Sequence, residues 1–200
     1  MIAVIDSGVA NLRSVAHALI YLGVEMKIAT TPDDLEHADK IILPGVGAYS
    51  AGMAQLQNRC FVEPLHDYAA RGIPILGICL GMQLLFERSY EMGDYQGLGL
   101  LHGEIVRFAP HGPKVPHMGW NQLDHDESSP LLKSVPTGSY AYFVHSYYAK
   151  PASNDMVLAT TDYGIGFPSV VGQGNIFGAQ FHPEKSQRAG LTLLKNFVEL

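Results

Sequence analysis

A cysteine between two glycines is the first feature of this sequence that could do chemistry. In the motif GICLG, residues 77–81, the glycines stand two positions to either side of Cys79, where an apolar run gives way to a helical pattern. The G-x-S-x-G elbow of serine hydrolases has this spacing, because its sharp strand-to-helix turn leaves room only for hydrogen at the flanking positions. A thiol there would also lie at the N-terminal end of a helix, whose dipole favours the thiolate. Cys79 is therefore a candidate nucleophile, although most free cysteines are small buried core residues.

A histidine and a carboxylate about a hundred residues later supply what such a nucleophile needs. In the stretch GAQFHPEKS, His182 and Glu184 follow a strand-like segment and are separated by a single proline. A cysteine nucleophile needs an imidazole to take its proton and return one to the leaving group, and the imidazole needs an anchor for its other nitrogen. Residues two apart in an extended segment point to the same face, so the carboxylate can reach the ring. Together with the elbow, this pair favours a Cys79, His182 and Glu184 triad.

Donors for an oxyanion are predicted at two places. The backbone N–H of Leu80, the residue after the nucleophile, is one. The other is the PGVG turn, where Gly45 and Gly47 would let the Val46 peptide turn its N–H inward. Without the cysteine, an ordinary turn between strand and helix would be the simpler interpretation of PGVG.

The elements that must position these groups alternate between strand and helix in the first half of the chain. Short apolar runs are each followed by a helical or Gly-rich stretch, and we expect the helix after Cys79 to cover residues 80–89. This alternation predicts an α/β fold with a parallel central sheet. From Leu98 onwards, strand-like segments separated by turn residues predict antiparallel strands, added to that sheet or forming a small companion sheet, before a last amphipathic helix. We expect one domain spanning residues 1–200.

Composition and charge exclude several classes of function. The formal charge is −6 and no run of basic residues occurs, so neither nucleic acid nor an acidic membrane surface is an expected partner. No cluster of His, Cys and Asp has metal-ligand spacing, and we expect no metal. Cys60 has no elbow around it and is expected to be a free, inert thiol in a reduced compartment. The absence of a signal-like N-terminus predicts a cytoplasmic protein.

The motifs GICLGMQLL, PGVG and FHPE resemble those of the class I, triad-type glutamine amidotransferases. The resemblance implies a three-layer, flavodoxin-like sheet flanked by helices, no cofactor, and hydrolysis of glutamine to glutamate and ammonia through a cysteinyl thioester. Its triad maps onto Cys79, His182 and Glu184, and Gln83 matches a glutamine-binding residue. The further substrate-binding residues that it implies are Gly45, Glu91, His145, Ser146 and Tyr147.

Three longer stretches, at residues 6–15, 114–121 and 142–147, are similar to one branch of this family, which serves histidine biosynthesis. In that branch the glutaminase is one subunit of a heterodimer and passes its ammonia to a (β/α)8-barrel cyclase. The resemblance implies that Asn11, Trp120 and Lys185 face this partner, although a core position would also suit a lone tryptophan. Many relatives have Tyr and Gly in place of Ser7 and Ala10, which affects local contacts and not the triad.

Two other functions stay open from the residues alone. One is a cysteine–histidine hydrolase acting without a partner, such as a γ-glutamyl hydrolase. The other is a binding module that keeps an amidotransferase scaffold. The complete triad disfavours the binding module, and the stretches HPEKS and PHMGWN disfavour the partner-free hydrolase.

Overall fold

A seven-stranded sheet is the centre of the computed structural model, which describes residues 1–8, 11–126 and 128–200. Ala10 lies outside the described residues. The helices are α1 (Leu12–Tyr21), α2 (Tyr49–Asn58), α3 (Val62–Ala70), α4 (Leu80–Leu84) and α5 (Gln187–Glu199). The strands are β1 (Ile2–Ile5), β2 (Met26–Ala29), β3 (Lys40–Gly45), β4 (Ile75–Cys79), β5 (Phe86–Ser89), β6 (Tyr95–Gln96), β7 (Leu101–Arg107), β8 (His117–Gln122), β9 (Tyr140–His145), β10 (Tyr147–Pro151), β11 (Val157–Asp162), β12 (Gly166–Gln173) and β13 (Ile176–Ala179).

The sheet has the order β11-β12-β13-β4-β3-β1-β2, and its strands from β13 to β2 pair in parallel. Strand β12 runs antiparallel to β13, and β11 runs antiparallel to β12. This confirms the predicted parallel core with antiparallel strands added in the C-terminal half. The remaining strands form a four-stranded sheet, β10-β7-β5-β6, and a ribbon of β8 and β9.

Side chains that alternate along the central strands divide the core into two layers. In β1, Ile2 and Val4 pack with α1 and α5, whereas Ala3 and Ile5 pack with α2, α3 and α4 on the opposite face. Because successive residues of a strand point to opposite faces, a strand buried on both faces reads as one continuous apolar run. The result is the expected three-layer arrangement of helices on both sides of a sheet.

The predicted helix over residues 80–89 is wrong in its second half. Helix α4 ends at Leu84, and Phe86–Ser89 forms β5, which pairs with β6 and β7. The carbonyls of Leu84 and Leu85 accept hydrogen bonds from the N–H groups of Leu98 and Leu101 instead of continuing the helix. Pairing with distant segments has overridden the local helical pattern.

Cys79 stands at the bend between β4 and α4, with φ 54° and ψ −109°. A side chain at this positive φ is held in a strained conformation by the surrounding structure. The bend also brings Gly81 against β3, since a Cβ on Gly81 would lie 1.8 Å from the carbonyl oxygen of Leu43. A Cβ on Gly77 would lie 2.6 Å from the backbone of Gly81 and Met82. Both glycines are therefore required by the close approach of backbone to backbone.

We expect Gly81→Ala to lower the free energy of unfolding by about 3 kcal/mol or more, because the added methyl would force β3 and α4 apart. Gly166→Ala is the matched control, since its added Cβ would meet no atom within 4 Å. Urea unfolding of both variants measures the difference. Equal stability of the two variants would contradict the proposed close approach.

In the described ranges, no helix has both the length and the apolar character that crossing a membrane requires.

Candidate active site

A cleft of about 280 Å³ opens beside the C-terminal end of β4. In open α/β sheets, ligands bind outside the carboxyl ends of the parallel strands. Residues of six separate chain segments line the cleft: Val46, Gly47, Cys79, Leu80, Gln83, Glu91, Pro116, Val144, His145, Ser146, Tyr147 and His182. Most of the residues that the sequence singled out for catalysis and substrate binding are thus brought together.

His182 and Glu184 form a buried pair next to Cys79. The Nδ1 atom of His182 lies 2.8 Å from Oε1 of Glu184, and their side chains are 3% and 1% exposed. His182 follows β13 and begins a short 3₁₀ helix, Pro183–Lys185, which turns the carboxylate back towards the ring. Its backbone is fixed on both sides, because its N–H donates to the carbonyl of Tyr142 and its carbonyl accepts from the Ser186 hydroxyl.

The electrostatics of this pair favour a charged imidazole. Burial opposes the positive charge on His182, but the neighbouring Cys79 and Glu184 outweigh it and raise the pKa of His182 to about 10. The Nε2 atom of His182 is buried without a hydrogen-bond partner in the described residues. With Nδ1 turned to Glu184, Nε2 is the nitrogen left to exchange a proton with the sulfur or with a substrate.

Two glutamines connect the sulfur to the far wall of the cleft. The Nε2 group of Gln83 donates to the carbonyl of Tyr147 and to Oε1 of Gln180, each at 3.0 Å. The Nε2 group of Gln180 lies 4.0 Å from Sγ of Cys79. Gln180 is fully buried, and sequence reasoning missed it because a glutamine at the end of a strand carries no signal of its own.

The predicted oxyanion donors line the same cleft as Cys79. Leu80 is the first residue of α4, and Val46 and Gly47 line the cleft beyond the end of β3. Gly45 pairs with Cys79 across β3 and β4, and Gly47 has φ 94°, a conformation that favours glycine. The PGVG turn thus lies beside the sulfur, as the proposed role requires.

The remaining substrate-binding candidates form the opposite wall. His145 ends β9, Tyr147 begins β10, and the carbonyl of Ser146 between them accepts from the N–H of Phe108 at 3.2 Å. Glu91 lines the cleft, and its Oε2 also accepts from the N–H of Tyr49 at 2.5 Å, at the start of α2. A substrate role for Glu91 would therefore depend mainly on its other oxygen.

His145 of this wall is paired with a second buried histidine, His117. Nδ1 of His117 is 3.0 Å from Nε2 of His145, and the rings are packed among aromatic side chains, including Phe143 and Tyr163. The residues face each other across the β8–β9 ribbon. Sequence analysis predicted a substrate-binding role for His145 but no contact between His145 and His117, since cross-strand register cannot be read from either segment alone.

Of the candidate interface residues, Trp120 lies on the outer side of the same ribbon and Lys185 lies near it. Trp120 is 47% exposed and packs edge-on against Tyr142, and Nζ of Lys185 lies 5.9 Å from the Tyr142 ring centroid. The exposed Trp120 does not occupy the alternative core position. Asn11, half-buried, precedes α1.

The other histidines considered in the sequence, His17, His37, His66, His102 and His111, are all exposed. Cys60 is a free, exposed thiol. Over the described ranges, no group of three or more His, Cys, Asp or Glu side chains could hold a metal ion.

Comparison with known proteins identifies the class to which this fold and cleft belong. The family model described as glutamine amidotransferase class-I matches residues 3–200, and the chain belongs to that family. It is 51% identical over 197 residues to "Imidazole glycerol phosphate synthase subunit HisH" of Desulfitobacterium hafniense (strain Y51), covering 98% of this chain and 93% of the relative. The protein of the same name from Moorella thermoacetica is 50% identical over 199 residues, 100% of this chain and 94% of the relative.

Solved structures support the fold independently. The structure titled "Structure of PurLQS from Thermotoga maritima" superposes with a TM-score of 0.79, covering 99% of this chain and 97% of that one. At 21% identity, this likeness concerns the fold alone.

We expect Glu184→Gln to lower kcat for glutamine hydrolysis at least a hundredfold, because an amide cannot stabilise the imidazolium and disturbs the tautomer of His182. The pKa of His182 should fall, since the carboxylate helps to raise it. The pH dependence of Cys79 alkylation would report this shift.

Glu199→Gln is the matched control, because it removes the same charge from an exposed carboxylate in α5. If both variants kept wild-type kcat and the same alkylation profile, Glu184 would have no part in the reaction.

Proposed function

We propose that this protein is the glutaminase subunit of an imidazole glycerol phosphate synthase, in histidine biosynthesis. The observation that carries the proposal is the strained Cys79 beside the buried His182–Glu184 pair in one cleft. Relatives at about half identity over nearly the whole chain supply the specific function. The protein hydrolyses glutamine and delivers the ammonia to a second subunit.

In the proposed reaction, the Cys79 thiolate attacks the carboxamide carbon of glutamine. The C–N bond breaks as His182 gives a proton to the departing nitrogen, which leaves as ammonia. The product on the enzyme is a glutamyl thioester. Water, deprotonated by His182, then attacks the thioester carbon, and the C–S bond breaks to release glutamate and restore the sulfur.

The cleft supplies groups for each stage of this reaction. In this proposal the N–H of Leu80 and the peptide around Val46 and Gly47, which line the cleft, receive the negative charge on the carbonyl oxygen. Gln83 and the segment from His145 to Tyr147 hold the amino-acid end of glutamine, with Gly45 and Glu91 as further contacts.

The partner that we propose is a (β/α)8-barrel cyclase, which uses the ammonia to make imidazole glycerol phosphate and AICAR. Free ammonia in neutral water would be protonated and lose its nucleophilic lone pair, so the two subunits should form a sealed contact around the mouth of the Cys79 cleft. We place both in the cytoplasm. The chain acts as a single glutaminase domain and requires no cofactor or metal of its own.

We also propose that the PGVG peptide completes the oxyanion hole only when the cyclase is loaded. The reason is that hydrolysis uncoupled from the cyclase would consume glutamine without making the product. An isolated subunit that hydrolysed glutamine as fast as the loaded complex would contradict this idea.

Glutamate production by the full chain, with and without a barrel cyclase and its nucleotide substrate, tests the function. We expect strong stimulation by the loaded cyclase, complete loss with Cys79→Ala, and full activity with Cys60→Ala, because Cys60 is exposed and away from the elbow.

Diazo-oxo-norleucine, a glutamine-like electrophile, distinguishes the alternatives. A glutaminase should be labelled at Cys79, and a binding module should show no selective labelling. A hydrolase that needs no partner would release ammonia from its substrate at the same rate with and without the cyclase.

Trp120→Ala should weaken binding of the cyclase about thirtyfold, because an exposed tryptophan is a typical interface anchor. Tyr21→Ala removes another exposed aromatic side chain, from α1, and serves as the control. Isothermal titration calorimetry with the cyclase measures both. Identical affinities of the two variants would place the interface elsewhere.

A further inference from the structure

A continuous chain of side-chain hydrogen bonds crosses the interior from β8 to the wall of the glutamine cleft. It begins at Asn121, passes through His117 and His145, and ends at the backbone carbonyl of Tyr147. The proposed mechanism uses neither imidazole. The two histidines are 3% and 6% exposed, so their rings are largely shielded from water.

The orientation of Asn121 is fixed by the backbone. Its Oδ1 accepts from the N–H of Gln122 at 2.8 Å, and its Nδ2 donates to the carbonyl of Asp162 at 2.8 Å. Exchange of the two amide atoms would place donor against donor and acceptor against acceptor. The second hydrogen of Nδ2 therefore points at Nε2 of His117, 3.3 Å away.

This orientation determines the proton positions on both rings. Nε2 of His117 accepts from Asn121, so a neutral His117 carries its proton on Nδ1. That proton is donated to Nε2 of His145, 3.0 Å away, and His145 must also carry its proton on Nδ1. Nδ1 of His145 lies 2.8 Å from the carbonyl of Tyr147, which can only accept. Backbone groups at both ends thus give the chain a single polarity.

Extra protons would break this arrangement. A proton on Nε2 of either histidine would face another N–H group. The two donors would repel each other, and no acceptor in this chain could take the extra proton. Burial lowers the pKa of His117 to about 4. For His145, burial and the nearby rings of His117 and His182 outweigh the Tyr147 carbonyl and lower the pKa to about 3.

The carbonyl of Tyr147 is the junction with the candidate substrate site. It accepts from His145 on one side and from Gln83 on the other. Gln83 in turn reaches Gln180, whose amide approaches the sulfur of Cys79. A shift in the peptide of Tyr147 would therefore move Gln83 within the cleft.

We propose that Asn121, His117 and His145 are positioning residues that hold the Tyr147 peptide, and through it Gln83, in the geometry that binds glutamine. The inference rests on the proposed function for the identity of the ligand. Both histidines act as neutral Nδ1–H tautomers in a chain of fixed direction.

Strand β8 also connects this chain of hydrogen bonds with the candidate partner surface. Inward residues of the strand, His117 and Asn121, belong to the chain, while Met118 and Trp120 point outwards and are exposed. One strand therefore carries the candidate partner surface on one face and the start of the positioning chain on the other.

The tautomers can be observed without any assay of activity. In two-bond ¹H–¹⁵N spectra of the histidine-labelled full chain at about pH 6, we expect His117 and His145 to be neutral and protonated on Nδ1. Spectra of variants lacking one histidine assign the signals. An imidazolium, or an Nε2–H tautomer at either residue, would overturn the proposal.

Two substitutions of His117 separate hydrogen bonding from packing. His117→Asn keeps a donor at the position of Nδ1 but loses the ring, whereas His117→Phe keeps a ring beside Phe143 and Tyr163 but loses the donor. In complex with the cyclase, we expect the Phe variant to raise KM for glutamine about tenfold, with kcat changed less than about threefold. The Asn variant should recover most of this loss, although it should unfold more readily.

If packing were the only role of His117, the Asn variant would show both the higher KM and the lower stability, and that result would overturn the proposal. The same two substitutions at the exposed His66 in α3 serve as controls and should leave KM unchanged. A wild-type complex without glutaminase activity would instead refute the proposed function, and the tautomer spectra would still decide the hydrogen-bond polarity.

Discussion

The backbone conformation of Cys79 is the constraint on which the rest of the site depends. A side chain at φ 54° is unfavourable by itself and persists only because β3, β4 and α4 are packed too closely to let it relax. The glycines at 77 and 81 permit that packing, and the packing in turn presents the sulfur at the open end of the sheet. The local cost at one residue is offset by the burial of two core layers.

The groups that surround the sulfur come from distant parts of the chain, and the sheet order explains how they meet. Strand β13 lies next to β4, so Gln180 and His182, which follow β13, arrive beside Cys79, which ends β4. The charge of Glu184 is buried with its partner His182, an arrangement that is unfavourable unless the pair is held by hydrogen bonds. The backbone hydrogen bonds of His182 with Tyr142 and Ser186 fix the position of the ring, whereas Oε2 of Glu184 and Nε2 of His182 are buried without a hydrogen-bond partner in the described residues.

Sequence reasoning could predict the parts of this structure that local chemistry specifies. The elbow around Cys79, the alternating strands and helices, and the proximity of His182 to Glu184 follow from spacing and residue type. The strand Phe86–Ser89 could not be predicted, because its conformation depends on hydrogen bonds with residues 95–105 and not on its own helical pattern. The His117–His145 contact could not be predicted either, because it depends on the register of two strands that are far apart in the sequence. Gln180 can be recognised as a site residue only from its contacts with Gln83 and Cys79 in the folded structure.

The outer face of the β8–β9 ribbon has a consequence for handling the protein. Met118, Trp120 and Tyr140 are all more than 45% exposed, and contiguous apolar surface of this kind promotes self-association in water. A chain produced without a protein to cover that face should be less soluble and more prone to aggregate than the same chain produced together with one. Such aggregation would arise from the exposed surface of two strands, and not from the packing of the core.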